Sequence, residues 1–316
     1  MTYRKKKTTR RKVTKKKKTP LVSVKRFLSF VLLSLILGIS ICAVGYVIFF
    51  RTVFAQEIPK QQKAEIVFEE PDPPVHDEPA GELAETEKQP TKKELPKVAI
   101  IIDDLGYHKK LGENFLNFPY ELTYSFLPFA PYTEKQEEMA FNSGKTVLLH
   151  LPLEPRGKQW NPGPGTLFLS DSPELEKEKF EQALAQVPHA VGVNNHMGSL
   201  FTADRAAMRR LLTQVKARRL FFVDSITTAD STGLQIAKEL ELSFAKRSIF
   251  LDNTLEEPEI CKQLEKLIAM AELKGKAIGI GHPHVETYQA LQRCVSFYVL
   301  RVEFCSVLDV LLSSEK

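Results

Sequence analysis

The sequence KVAIIIDDLGY, residues 97–107, contains an uninterrupted apolar run that ends on two carboxylates, Asp103 and Asp104, just before a turn at Gly106. Such a β-branched run, bounded by Pro96 and Gly106, predicts a strand buried on both faces, as in parallel sheets. In parallel α/β folds the chemistry gathers where strands end and the following loops begin. The pair of carboxylates therefore predicts a catalytic position, and the alternative is that one Asp only caps the next helix.

Six more apolar runs follow this first one, and each has the length of a strand. Segments with helical spacing separate them, and this alternation implies parallel strands joined by right-handed crossovers. A seven-stranded or incomplete eight-stranded β/α barrel fits this pattern best, and a doubly wound open sheet is the alternative. The predicted strands are residues 98–102, 122–126, 146–149, 190–193, 220–223, 248–251 and 277–280, with a short candidate last strand near 302–306.

Residues that are favoured at helix ends support helical crossovers between the strands. Ser172 and Pro173 predict the start of a helix over residues 174–186, because Ser is a favoured cap and Pro a favoured first residue. Thr202 similarly predicts a start for residues 204–218, and Gly275 predicts the end of a helix over 259–274.

Polar side chains able to bind a metal or move protons follow six of the seven runs. Any one of them has a structural explanation, since a single His at a strand end is more often a packing residue and an Asp can cap a turn. If the strands are parallel, however, all of these ends lie on one face and converge on one pocket. They are Asp103, Asp104, His150, Asn194, Asn195, His196, Asp224, Ser225, Asp252, Asn253, His282 and His284.

An Asp and two His presented from three strand ends form an oxygen and nitrogen site suited to zinc or a similar divalent ion. Such an ion polarises a carbonyl and lowers the pKa of water towards about 7. A second carboxylate can take the water proton and a His across the pocket can protonate the leaving group, and Asp103 and His282 are placed for these two roles.

A loop between the third strand and the helix after Ser172 contains GKQWNPGPGTLFLS, residues 157–170, and the chain's single Trp, Trp160. We expect this loop to lie over the pocket. An indole at a pocket rim is a platform for the apolar face of a sugar ring, although Trp160 could equally just hold the loop in place. The predicted substrate-binding residues are Trp160 and three of the strand-end residues, Asn195, Asp224 and His284.

The amino-terminal third differs from the predicted domain, residues 97–316. Residues 1–26 hold thirteen of the chain's 44 Lys and Arg, so the rest of the chain carries 31 basic residues against 39 acidic ones. Because residues 27–50 follow at once and contain no charged residue, the basic tail predicts membrane topology rather than nucleic-acid binding. We expect a cytoplasmic amino terminus, an uncleaved anchor over 27–50 in a bacterial inner membrane, an acidic Pro-rich tether over 51–96, and a domain on the periplasmic or outer side.

Cysteine positions give little further guidance. Cys42 lies in the apolar span, and Cys261, Cys294 and Cys305 lie in the domain without any C-x-x-C pair. One disulfide is compatible with an extracytoplasmic domain, and its pairing is open.

Five motifs in order, IIDDLG, LLHLPLEP, GVNNHMGS, FVDS and GIGHPH, resemble the divergent polysaccharide deacetylase family, relatives of metal-dependent polysaccharide deacetylases with a distorted β/α barrel. The resemblance covers residues 97 to about 312. It implies that Asp103 is the general base, Asp104 a metal ligand and His282 the general acid.

The sequence departs from the better-studied deacetylases at the metal ligands. Those enzymes use two His one helical turn apart, and this chain has no His-x-x-x-His. His150 and His196, from successive strands, are therefore the predicted ligands beside Asp104, with zinc as the expected metal.

Three functions are compatible with these patterns. The first is a membrane-anchored, metal-dependent deacetylase acting on an N-acetylated cell-envelope glycan. The second is an inactive glycan-binding or cell-wall scaffold with a degenerate barrel, and the third is a metal-dependent hydrolase of another amide or ester. The full set of Asp103, Asp104, His150, His196 and His282 favours an enzyme, because a scaffold has no chemical reason to keep all five.

Overall fold

A computed structural model describes residues 29, 31, 32 and 94–312. The predicted tail, most of the predicted anchor and nearly all of the tether therefore lie outside the described residues. Among the residues that are described, no helix is both long and apolar enough to cross a bilayer.

The domain alternates strands and helices from its first strand onward. The strands are β1 (Lys97–Leu105), β2 (Thr123–Phe126), β3 (Thr146–Leu153), β4 (Gly192–Met197), β5 (Phe221–Asp224), β6 (Phe244–Lys246), β7 (Ile249–Phe250), β8 (Lys276–Gly281) and β9 (Glu303–Phe304). The helices are α1 (Lys109–Leu116), α2 (Thr133–Asn142), α3 (Pro173–Ala185), α4 (Arg205–Ala217), α5 (Gly233–Leu240), α6 (Glu257–Lys274), α7 (Val285–Cys294) and α8 (Val307–Leu312), with a 3-10 turn at Val295–Phe297.

All strand pairs of the described domain are parallel, in the order β6-β5-β4-β3-β2-β1-β8-β7, and β9 pairs with the beginning of β1. The two edge strands, β6 and β7, are separated by only Arg247 and Ser248. The Arg247 N–H donates to Asp224 O on β5 and the Ser248 N–H donates to Ile278 O on β8, so two consecutive residues connect the opposite ends of the sheet. The sheet is therefore curled into an incomplete eight-stranded barrel, as the alternation of runs predicts.

Two local features differ from what the sequence predicts. No strand was predicted at β6, because its three residues include no apolar run and lie at the sheet edge. The residue that caps α4 is Asp204 rather than Thr202, since the Asp204 carboxylate accepts the Ala207 N–H at 2.8 Å. Thr202 instead donates its hydroxyl to Gly198 O, within the turn that follows β4.

Alternation along each strand divides the core into two layers. On β1, Val98, Ile100 and Ile102 pack outward with the helices, whereas Ala99 and Ile101 point into the barrel. The barrel interior is a smaller apolar cluster, and α8 contributes residues to it from the end where the strands begin. The other end of the interior, where the strands finish, carries the polar residues.

A disulfide joins Cys261 of α6 to Cys294 of α7, and Cys305 is a buried free thiol. This decides the pairing that the sequence left open. The bridge ties together two helices that pack side by side, of which α6 packs against β8 and its neighbours.

Candidate metal and catalytic site

The inward face of the strands carries a layer of buried polar residues directly above the apolar interior. Every second residue of a strand points to the same side, and each of these polar residues lies on the inward side of its strand or just beyond the strand's end. Asp103 follows the inward Ala99 and Ile101 on β1, and His282 follows the inward Ile278 and Ile280 on β8. The members of this layer are Asp103, Ser125, His150, Asn194, His196, Asp252 and His282, all at most 6% exposed.

Asp104 joins this layer only because β1 contains a bulge. Strict alternation would point Asp104 outward, since successive strand residues face opposite sides. Between Ile102 and Leu105 β1 advances three residues while β2 advances two, from Tyr124 to Phe126, and Asp104 adopts a left-handed backbone with φ of 53°. The extra residue turns the Asp104 carboxylate to the same side as Asp103, which is a common use of bulges beside active sites.

Asp104, His150 and His196 form a compact triangle of ligand atoms. Asp104 Oδ1 is 3.1 Å from His150 Nε2 and 2.9 Å from His196 Nδ1, and the two ring nitrogens are 3.2 Å apart. A tetrahedral ion with bonds of about 2.0–2.1 Å separates its ligands by roughly 3.3 Å, so this spacing fits a zinc-like ion. Each of the three residues offers one ligand atom to the cluster.

A second observation agrees with a metal at this position. Asp104 Oδ1 is buried, and no N–H of the described residues points at it with hydrogen-bond geometry. Buried polar atoms are normally satisfied, so one that faces two imidazole nitrogens at close range fits a position shared with a cation. Burial acts to raise the pKa of Asp104, but the neighbouring His196 and His150 outweigh it and hold that pKa well below its usual range.

Asp103 is in a different electrostatic environment from Asp104. It is fully buried, and both of its carboxylate oxygens accept from Asn194 Nδ2, at 2.8 and 2.9 Å. Burial raises the pKa of Asp103, and the nearby His150 and His282 offset this only in part. Asp103 is thus the second carboxylate of the site and interacts electrostatically with both His150 of the metal triangle and His282.

His282 is oriented by Asp252. Asp252 Oδ1 lies 3.0 Å from His282 Nδ1, and Asp252 Oδ2 accepts the His282 backbone N–H at 2.6 Å and the Thr287 hydroxyl at 2.7 Å. Burial acts to raise the pKa of Asp252, but His282 outweighs it and lowers that pKa. A His held at Nδ1 presents Nε2 as its proton-transfer atom.

His284 is beside His282, with ring centroids 6.3 Å apart. Burial lowers the pKa of His284, and the charges of Asp252 and Asp104 act on it in the opposite direction. This predicted substrate-binding residue therefore lies within the electrostatic reach of the site.

Two other predicted substrate-binding residues, Asn195 and Asp224, lie on the outward side of their strands. Asn195 donates to Met197 O at 2.8 Å and accepts the Ser225 N–H at 2.9 Å, so its amide braces β4 against the end of β5. Asp224 lies on the same outward side of β5 as Phe222. Its carboxylate accepts hydrogen bonds from the Ile226 N–H and the Ser231 hydroxyl, in the loop that follows β5. Burial raises the pKa of Asp224.

Trp160 is partly buried in the loop after β3. The later part of that loop pairs with the end of β3, because the Glu154 N–H donates to Leu167 O and the Leu167 N–H donates to Pro152 O. Further along, a Cβ placed on Gly163 would lie 3.9 Å from the Tyr107 hydroxyl, so the loop passes beside the end of β1, on the face where the strands finish.

Asn194 is among the predicted polar strand-end residues, but the sequence pattern gave it no role in the site. Its amide oxygen accepts the Ser125 hydroxyl at 2.5 Å and lies 2.9 Å from His150 Nδ1. Alternation was the signal that could have found it, because His196 and Asn194 share a face and Asn195 lies on the opposite one.

Comparisons with known proteins bear on the whole domain. A sequence model of the divergent polysaccharide deacetylase family matches residues 100–311. The uncharacterized protein YibQ of Escherichia coli K12 is 35% identical over 203 residues, which are 63% of this chain and 62% of that protein. An uncharacterized protein of Haemophilus influenzae is 37% identical over 196 residues, or 62% of this chain and 70% of that protein. This chain thus spans less than two thirds of the Escherichia coli relative's length.

A solved structure has the same fold. The crystal structure of the uncharacterized protein ATU2773 from Agrobacterium tumefaciens C58 superposes with a TM-score of 0.66 at 25% sequence identity. The superposition covers 70% of this chain and 92% of that chain.

Proposed function

Because the chain belongs to the divergent polysaccharide deacetylase family, we propose that it is a metal-dependent hydrolase that removes acetyl groups from an N-acetylated cell-envelope glycan. The observation that carries this proposal is the Asp104, His150 and His196 triangle beside a second carboxylate and an oriented imidazole. This combination supplies a metal site, a base and an acid on one face of the barrel.

Asp104 Oδ1, His150 Nε2 and His196 Nδ1 would hold the ion, and zinc suits this oxygen and nitrogen set. A bound divalent ion there supplies polarisation of the acetyl carbonyl and activation of water near neutral pH. The three ligands come from rigid strand ends, so the chain holds them in place before the substrate arrives.

Asp103 acts as the general base in this proposal. It takes one proton from the attacking water at a carboxylate oxygen, while the water oxygen bonds to the acetyl carbon. His282 donates a proton from Nε2 to the sugar nitrogen as the carbon–nitrogen bond breaks, so the products are acetate and a free amine. Asp252 keeps the His282 ring in the orientation that this transfer needs, through its contact with Nδ1.

The proposed substrate requires a location outside the cytoplasm. The basic residues 1–26 next to the uncharged residues 27–50 support an anchor with a cytoplasmic amino terminus. The Cys261–Cys294 disulfide supports an oxidising compartment for the domain. We therefore place the domain on the periplasmic or outer side of a bacterial inner membrane.

The experiment is to load the purified full-length chain with zinc and measure acetate released from N-acetylglucosamine oligomers and from isolated cell-wall glycan. We expect stoichiometric zinc and acetate release that a chelator abolishes and added zinc restores. A wild-type chain that binds no divalent ion at saturating concentration would refute the proposal and leave the glycan-binding scaffold. Zinc binding with hydrolysis only of other amides or esters would instead leave the third function.

A further inference from the structure

Asn194 contacts three residues of the candidate site that come from three other strands. Its side chain is fully buried on β4 and reaches Ser125 of β2, His150 of β3 and Asp103 of β1. One amide therefore connects four consecutive strands at the level of the metal triangle. We propose that Asn194 is a positioning residue that holds His150 in its metal-binding tautomer and Asp103 in its base orientation.

The amide can stand in only one orientation. Asn194 Nδ2 faces both oxygens of Asp103, which act as acceptors, so a donor is required on that side. Asn194 Oδ1 then faces the Ser125 hydroxyl and His150 Nδ1. The reversed amide would direct an oxygen at the two oxygens of Asp103, with repulsion in place of two hydrogen bonds.

This orientation assigns the proton of His150. Because Asn194 Oδ1 can only accept, His150 Nδ1 must be the nitrogen that carries the N–H. The lone pair is then on Nε2, the atom that faces Asp104 Oδ1 at 3.1 Å and His196 Nδ1 at 3.2 Å. A partner on the second ring nitrogen is the usual way in which proteins orient a metal-binding His.

The same amide limits the movement of Asp103. With both oxygens on one amide nitrogen, the carboxylate is held across the barrel interior rather than against its own strand. Asn194 contacts His150 at Nδ1, away from the proposed metal-binding Nε2, so its effect passes through the two groups that it holds. This inference rests on the proposed function, for the metal at His150 as well as for the base role of Asp103.

Two substitutions by side chains of similar size test the acceptor and the donor of the Asn194 amide separately. Asn194→Leu removes both donor and acceptor, and we expect zinc to bind about 10–100-fold more weakly, measured by competition with a chromophoric chelator. Asn194→Asp keeps an acceptor for His150 and loses the donor to Asp103, so we expect zinc affinity at least equal to that of wild type. In both variants, kcat at saturating zinc should fall about 10–100-fold with little change in KM.

Tyr124→Phe is the matched control, because Tyr124 is equally buried and its hydroxyl donates to Phe115 O at 2.9 Å on the outward side of β2. It removes a buried hydrogen bond without touching the site, so zinc affinity should stay at the wild-type value. Equal zinc affinity in Asn194→Leu and Asn194→Asp, or zinc affinity in folded Asn194→Leu within twofold of wild type, would overturn the inference.

The nitrogen resonances of His150 give a test that does not require any variant to fold. In the zinc-loaded full-length chain we expect zinc on Nε2 and a proton on Nδ1, and zinc on Nδ1 would overturn the assignment. A wild-type chain without zinc binding would refute the proposed function and this inference together. If the wild-type chain binds zinc but substitution of Asn194 does not change the zinc affinity, the inference alone is refuted.

Discussion

At the scale of residues, Asp103 and Asp104 show how neighbours in sequence acquire different chemistry. Burial raises the pKa of Asp103, whereas His196 and His150 overcome burial and lower the pKa of Asp104. The first is suited to accept a proton and the second to stay ionised against a cation. The bulge that brings both carboxylates to one side is what permits this division.

Substitution of each Asp should separate these roles. Asp103→Asn keeps the shape of the strand, so we expect full zinc content with acetate release reduced about 10²–10⁴-fold, the range for loss of a general base. Asp104→Ala removes a ligand and should lower zinc content and activity together. Metal analysis and acetate release on the same samples check both, and Asp103→Asn with stoichiometric zinc and wild-type activity would contradict the base assignment.

At the scale of elements, the end of β1 depends on the turn at Gly106. Gly106 has φ of 112°, and its carbonyl accepts the Tyr132 N–H at 2.9 Å. An added Cβ would lie 2.2 Å from Thr133 Oγ1 and 2.9 Å from Ala130 Cβ, so the start of α2 closes on this turn. The position of the two carboxylates and the packing of α2 are thereby coupled.

We expect Gly106→Ala to lower the free energy of unfolding by about 3 kcal/mol, from backbone strain and overpacking combined. Gly144→Ala is the control, because Gly144 also has positive φ, 71°, but an added Cβ there meets no atom within 4 Å. The control should cost about 1 kcal/mol, the strain alone. Urea unfolding of both variants measures the difference, and equal costs would show that the contact with α2 does not matter.

At the scale of the whole molecule, the disulfide links the outer helices to the site. Cys294 ends α7, and Thr287 in the same helix donates to Asp252, the partner of His282. The bridge closes a sequence separation of 33 residues. It therefore restricts the unfolded chain while it holds the helix that supports the candidate acid.

Replacement of both Cys261 and Cys294 by Ser should lower the free energy of unfolding by about 4 kcal/mol, from the loop-closure entropy of the unfolded chain. Denaturant unfolding without reductant measures it. Cys305 is the internal reference: burial raises the pKa of its thiol to about 12, so it should resist alkylation in the native protein and react after unfolding. A wild-type chain in which alkylation labels Cys261 and Cys294 in the unreduced state would contradict the pairing.

Membrane topology is the second prediction at this scale. We expect protease added to intact spheroplasts to digest the domain and spare the amino-terminal tail, because basic residues next to an apolar span stay in the cytoplasm. Immunoblots against the tail and the domain provide the measurement. Protection of the domain would exclude a cell-wall substrate, whatever the activity of the purified protein.

Much of the architecture was available from the sequence alone. All seven predicted strands occur, because runs such as residues 98–102 are apolar on both faces and can only be buried between layers. Helix ends at Ser172 and Gly275 follow from local capping chemistry. The nominated ligands Asp104, His150 and His196 also lie together, because parallel strands place their ends on one face.

Tertiary structure decided the rest, since it depends on partners distant in sequence. The inward direction of Asp104 results from the register of β1 against β2, and the selection of Asn194 over Asn195 results from which face of β4 lines the barrel. The pairing of Cys261 with Cys294 required α6 and α7 to be adjacent. Composition and periodicity describe what a segment prefers by itself, whereas register, bulges and helix packing are set by the segments against which it folds.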